Sequence, residues 1–161
     1  MDWFPWLLFL HVLGAIVAFG PVFTFPLIGA MGGREAQYAN FATRLSHAIT
    51  VRYSIPIGLT LPVTGVGMIL ARGIDLTSPA YRWLGVAIVI YAVVITYAIA
   101  VQRRTVERIV ELTSAPPPPG AAGPPPEVAS LIGRVRRGGM FLTAGIVIIA
   151  FLMVVKPAFG G

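Results

Sequence analysis

The stretch LLFLHVLGAIVAFG, Leu7–Gly20, is apolar or glycine at every position except one, His11. Extended to Trp3 on one side and Leu27 on the other, it passes the roughly 20 apolar residues that a bilayer crossing needs. The rest of the chain has the same character. Of its 161 residues 57% are hydrophobic and only 11% charged, and the mean hydropathy is +0.83. A soluble domain usually carries about 25% charged residues. The composition therefore describes an integral membrane protein, and the lone imidazole inside a crossing becomes the feature to explain.

Three further apolar runs follow. The expected helices span about residues 3–27, 49–71, 83–101 and 140–155 of a single domain, residues 1–161. The expected fold is all-α, a four-helix transmembrane bundle. Pro21, Pro26, Pro56 and Pro62 fall within or beside the first two crossings and predict kinks there, which a bilayer tolerates when neighbouring helices satisfy the freed carbonyls. The N-terminus has no basic residue ahead of its apolar run, so that run reads as a retained helix and not as a cleaved signal peptide.

The connections differ in kind. GAMGGREAQYANFATRLSH reads as a moderately polar link opening with a glycine-rich helix stop. RGIDLTSPAYR is short, with Thr77 or Ser78 and Pro79 placed to start the third helix. VQRRTVERIVELTS should carry the third helix onward into water, because Arg103, Arg104, Glu107, Arg108 and Glu111 are spaced for pairing three and four residues apart. APPPPGAAGPPP, at residues 115–126, reads as a proline-rich cytoplasmic tether, a spacer or a ligand for a proline-binding module. EVASLIGRVRRGG reads as an interfacial lead-in to the last helix.

Basic residues give an orientation. The first and third connections carry Arg34, Arg44, Arg52, Arg103, Arg104, Arg108, Arg134, Arg136 and Arg137, whereas the other side has Arg72, Arg82 and Lys156. Both termini should then face outward. Trp3, Trp6 and Trp83 fall at that outer boundary, where an aromatic belt belongs.

At 1.5 Å of rise per residue, His11 lies roughly 12 Å below Trp3. The same counting puts Thr64 and Gly65 of the second helix, Tyr91 of the third and Ile148 of the fourth at that depth. Met68 and Met153 lie somewhat nearer the outer face. Two readings of His11 stand. It can be interhelical glue, donating to an oxygen on a neighbour. It can also be functional, because ionisable groups within a bilayer are costly, and imidazole is a common axial haem ligand and metal ligand. His47, the other histidine, belongs to the opposite boundary, as an interfacial residue or a phosphate partner beside Arg44 and Arg52. The two cannot share one iron within a subunit, since each nitrogen would have to come within about 2 Å of it.

Other classes are excluded or disfavoured. The chain has no cysteine, hence no disulfide, thiolate metal site or iron–sulfur cluster of its own. No carboxylate lies within a predicted crossing, which argues against an acidic proton relay. No Walker loop, GxSxG or HExxH occurs. The basic residues are not grouped as a nucleic-acid groove would require, so no nucleic-acid partner is expected.

LLFLHVLGAIVAFG, RLSHAITVRYSIPIGLTLPVTGVGMILA and the closing FLMVVKP resemble the bacterial integral membrane proteins grouped as domain-of-unknown-function family 2269. The resemblance covers most of the chain outside the tether. The layout is also similar, more distantly, to the J-type membrane protoporphyrinogen oxidases and to the copper-resistance protein D family, which carry a histidine in the first helix. Those groups commonly place a tryptophan a turn or two after it, where this chain has Ala18 or Phe19. The resemblance implies a bacterial inner membrane location and functional positions at His11 and Lys156. The candidate cofactor site is thus His11, Tyr91, Thr64 and Lys156 for haem b, or His11, Met68 and Met153 for copper. A small haem-binding or redox-associated membrane protein is the favoured expectation. A cofactor-free accessory subunit, paired with another membrane protein or with itself, is the alternative, and whether the chain is an enzyme is left open.

Overall fold

The computed structural model describes residues 2–114 and 123–158. Most of the expected tether, residues 115–122, lies outside the described residues. Within them the chain is helical throughout, and four helical stretches are long and apolar enough to cross a membrane: Phe4–Arg34, Gln37–Arg72, Pro79–Leu112 and Pro126–Val155. The all-α four-helix architecture follows. Its outward surface is apolar. Val63, Leu70 and Val154 are 73%, 75% and 81% exposed, an arrangement that suits contact with lipid and not with water.

The first span contains α1 (Phe4–Phe19) and α2 (Phe25–Arg34). Pro21 has no N–H to continue the ladder, and a short 3-10 turn, Gly20–Phe23, takes its place. Thr24 caps that turn by donating both its N–H and its hydroxyl to the Pro21 carbonyl, at 3.0 and 2.7 Å. Helix α2 then runs on through Gly29, Gly32 and Gly33. The glycine-rich stop expected there does not occur; only Glu35 is extended (φ −125°, ψ 94°). Close packing explains Gly32, whereas Gly29 and Gly33 meet nothing within 4 Å. A Cβ on Gly32 would stand 2.6 Å from that of Ala42, so the missing side chain is what lets α3 (Ala36–Ile49) fold back against α2.

The second span continues from α3 through a π-turn, Thr50–Ser54, into α4 (Ile55–Gly58) and α5 (Leu61–Arg72). Pro56 cannot donate to the Arg52 carbonyl, and the ladder widens instead, with the Ile55 N–H reaching Thr50. Gly73 ends α5 in the left-handed region (φ 60°), and the Ile74 N–H returns to the Ile69 carbonyl at 3.0 Å. A residue with a side chain would be strained there.

The third span starts at Pro79, preceded by extended Ser78, as the sequence suggested. Thr77 turns the other way and caps Asp75. Helix α6 (Arg82–Tyr97) passes through a second π-turn, Ala98–Gln102, into α7 (Arg103–Leu112). The fourth span is one helix, α8 (Pro126–Val155), 30 residues long. The lead-in EVASLIGRVRRGG is therefore the first part of that same helix and not a separate element.

These helices form two hairpins. Helix α1 packs on α4 and α5, and α6 packs on α8. Beyond the apolar cores, α3 packs on α7 and α7 on α8, burying Ile109, Thr105 and Val128. At the opposite end each hairpin is tied separately. The Arg72 guanidinium lies over the Phe4 ring (4.1 Å) and reaches Asp2 (4.0 Å), while the Lys156 ammonium lies over Trp83 (5.8 Å). The bundle thus has a terminal end, holding Asp2, Arg72, Trp83 and Lys156, and a basic end built by helix extensions.

Candidate functional site

His11 sits in the middle of α1, facing α5. Its Nδ1 is 2.8 Å from the Thr64 hydroxyl oxygen. Thr64 in turn donates to the Leu61 carbonyl at 3.0 Å. A hydroxyl has one proton. With that proton on the Leu61 carbonyl, the oxygen accepts from the imidazole, the ring proton sits on Nδ1 and the lone pair on Nε2; the other tautomer reverses the bond. Gly65 makes the approach feasible: a Cβ there would meet the ring's Cε1 at 3.6 Å. Among the described residues the one buried side-chain polar atom without a partner is Ser54 Oγ. Nε2 has no hydrogen-bond partner among those residues either, so it is not sealed inside the packing. The arrangement is a half-buried imidazole, fixed at one nitrogen and accessible at the other.

The remaining predicted residues take other positions. Tyr91 donates its hydroxyl to the Gly58 carbonyl at 2.7 Å. In an unbroken helix that carbonyl would accept from residue 62, but Pro62 has no N–H. Tyr91 therefore satisfies a proline break from the neighbouring hairpin. Lys156 caps α8 in a left-handed conformation (φ 49°), and its charge rests on Trp83 at the terminal end. Met68 lies one turn along α5 from Thr64, and Met153 lies near the end of α8; both are half-buried. Of these six residues, hydrogen bonds or ring contacts between described residues join only His11 and Thr64. No group of three or more His, Cys, Asp or Glu among the described residues could hold a metal ion.

The basic end holds polar pairings between helices that sequence reading missed, beside the pairs within α7 that it expected. His47 Nε2 stands 3.3 Å from Glu107, which also accepts from Arg103 Nε at 2.9 Å. Arg108 bridges Glu111 and Glu127, each at 3.3 Å. Asn40 donates to both the carbonyl and the hydroxyl of Thr113, at 3.1 and 2.8 Å, and Gln102 donates to the Val135 carbonyl at 3.0 Å. The spacings within α7 were legible. The bond from His47 to Glu107 was not, because it depends on α3 and α7 extending far enough to pack.

The family described as predicted integral membrane protein, domain of unknown function 2269, matches residues 5–157. The chain belongs to that family. The match takes in both hairpins, the His11–Thr64 pair and the closing Lys156–Pro157. No curated protein and no solved structure matched the chain. Membership thus establishes an integral membrane protein and leaves the chemistry to be argued from the residues.

Proposed function

We propose that this protein holds a metal-bearing cofactor, haem b first, in the half of the bilayer near its terminal end, with His11 Nε2 as the axial ligand. One observation supports the reading: Nδ1 stands 2.8 Å from the Thr64 hydroxyl, so with the ring proton on Nδ1 that hydroxyl accepts it and Nε2 keeps the lone pair. A ligating histidine needs this arrangement, a neutral ring oriented by a hydrogen bond from the nitrogen that does not bind metal. The donor set suits a haem with one ligand from this chain, since Tyr91 is engaged with Gly58 and His47 with Glu107. Bound there, haem would supply one-electron chemistry. The chain's own part is to orient the imidazole and keep water away.

The same bond favours a second reading, in which His11 only ties α1 to α5 as glue in an accessory subunit. Absorbance separates the two. With haem bound, the purified protein is red with a Soret band, and His11→Ala abolishes or strongly shifts that band while His47→Ala leaves it intact. A colourless protein that co-purifies with a partner overturns the haem reading. Copper bound in a colourless protein, and lowered by both His11→Ala and Met68→Ala, would move the assignment to copper handling. The proposed setting is the bacterial inner membrane, with the basic end in the cytoplasm and both termini outside, as the arginine distribution supports.

A further inference from the structure

On the flank of the first hairpin, Pro21 breaks α1 and the π-turn widens the second span, leaving a shallow lateral groove of about 510 Å³. It is lined by Ile16, Val17, Gly20, Pro21, Thr24, Ile49 and Tyr53. The groove is apolar and opens sideways, toward lipid. Its depth is set by counting. Arg52 stands about 20 residues from Arg72, and Thr24 about 20 from Phe4, one hydrocarbon thickness in each case. The groove therefore lies in the leaflet at the basic end, with its mouth at headgroup level. Tyr53, 55% exposed, stands where interfacial tyrosines belong.

The two spans that build the groove carry charge of one sign. Neither span that builds the groove, Phe4–Arg34 or Gln37–Arg72, contains an Asp or Glu. Arg52 is next to Tyr53 in the π-turn, and Arg44 lies two turns earlier on α3. Among the described residues neither has a carboxylate partner, whereas Arg103 and Arg108 do.

We propose that this groove binds one anionic phospholipid, with an acyl chain along Ile16, Val17, Pro21 and Ile49 and the phosphate held by Arg52. Apolar walls beneath an unneutralised guanidinium match that ligand and favour it over a zwitterionic lipid, whose headgroup brings its own cation. The site is independent of the cofactor reading, because it lies in the other leaflet from His11.

Gly20 provides the test. A Cβ there meets nothing within 4 Å, and its backbone is right-handed (φ −51°), so Gly20→Leu fills the groove without disturbing the helix. The full chain, purified in mild detergent, is titrated with phosphatidylglycerol and with phosphatidylcholine and read by native mass spectrometry. The wild type should hold one phosphatidylglycerol in preference to phosphatidylcholine. Gly20→Leu should weaken that binding at least tenfold, Arg52→Gln should erase the preference, and Gly29→Leu, open and outside the groove, should change neither. Equal retention of both lipids by the wild type overturns the proposal. So does unchanged phosphatidylglycerol binding in Gly20→Leu of wild-type helicity, or a Gly20→Leu effect confined to oligomeric state, which would mean that a second copy covers the groove. Should Gly20→Leu lose helicity, the exposed Arg52→Gln decides alone, and a retained lipid preference there overturns the site.

Discussion

Thr64 has a single hydroxyl proton, and the tautomer of His11 depends on where that proton goes. Thr64→Val keeps the shape and removes both bonds. In a protein without cofactor the expected loss is about 0.6–1.7 kcal/mol, the range for an interhelical hydrogen bond in a bilayer, measured as thermal unfolding in detergent. In a haem-bearing protein the same change should also weaken cofactor affinity by about 10- to 100-fold, as loss of a ligand's supporting hydrogen bond does. A Soret band that Thr64→Val leaves unaltered in position and affinity would detach Thr64 from the site. Tyr91 permits a sharper experiment, because its partner carbonyl is orphaned by a nearby proline. Tyr91→Phe should destabilise by about 1 kcal/mol or somewhat more, the effect of stranding a buried acceptor. Pro62→Ala restores an N–H that can serve Gly58, so in that background Tyr91→Phe should have a smaller effect. Additive losses in the double-mutant cycle would show that Tyr91 stabilises through ring packing and not through its hydroxyl.

Glycines decide how closely the elements approach. A Cβ on Gly145 of α8 would stand 2.5 Å from Val94 Cγ2 on α6, so Gly145→Val should cost about 1–3 kcal/mol as overpacking, with Val94→Ala recovering part of it. Gly29→Ala, which meets nothing within 4 Å, should be nearly neutral. Equal effects at the two positions would mean that the hairpin of α6 and α8 yields easily. The loop at Asp75 responds to acid instead. The Thr77 hydroxyl and N–H, at 2.7 and 2.9 Å, hold that carboxyl below the usual carboxylate range. A depressed acid contributes fully above its unfolded value and loses that contribution as pH falls through the lower folded value. Amide exchange at Thr77, corrected for its intrinsic pH dependence, should therefore stay slow at neutral pH and quicken only in acid below the ordinary carboxylate range. The four crossings were legible because each has an uninterrupted apolar window. Their true lengths were not. Hydropathy stops where arginines begin, whereas the helices continue because Ile109, Thr105 and Val128 bury one another beyond the apolar cores. His11 and Thr64 could be paired by counting rise along two helices that run side by side within one hairpin. Tyr91 belongs to the other hairpin, where its hydroxyl follows the carbonyl freed by Pro62, and counting cannot locate that.

On the scale of the whole molecule, two hairpins share a polar and basic extension at one end and carry separate cation–ring ties at the other. Nine arginines and four glutamates lie toward the basic end, whereas the terminal end has Arg72, Arg82 and Lys156 with Asp2 and Asp75. Retention of arginine-rich connections on the cytoplasmic side is the strongest sequence-level determinant of orientation. In the orientation proposed above, four crossings bring both chain ends to the outer side. A reporter active only outside the cytoplasm should accordingly give signal when fused after Gly161, and one active only inside should do so when inserted between Pro119 and Pro124. The reverse pattern would put His11 in the cytoplasmic leaflet and the groove beside Arg52 in the outer one. The depth of the imidazole within the bundle would not change, but the compartment from which a cofactor or an electron reaches it would.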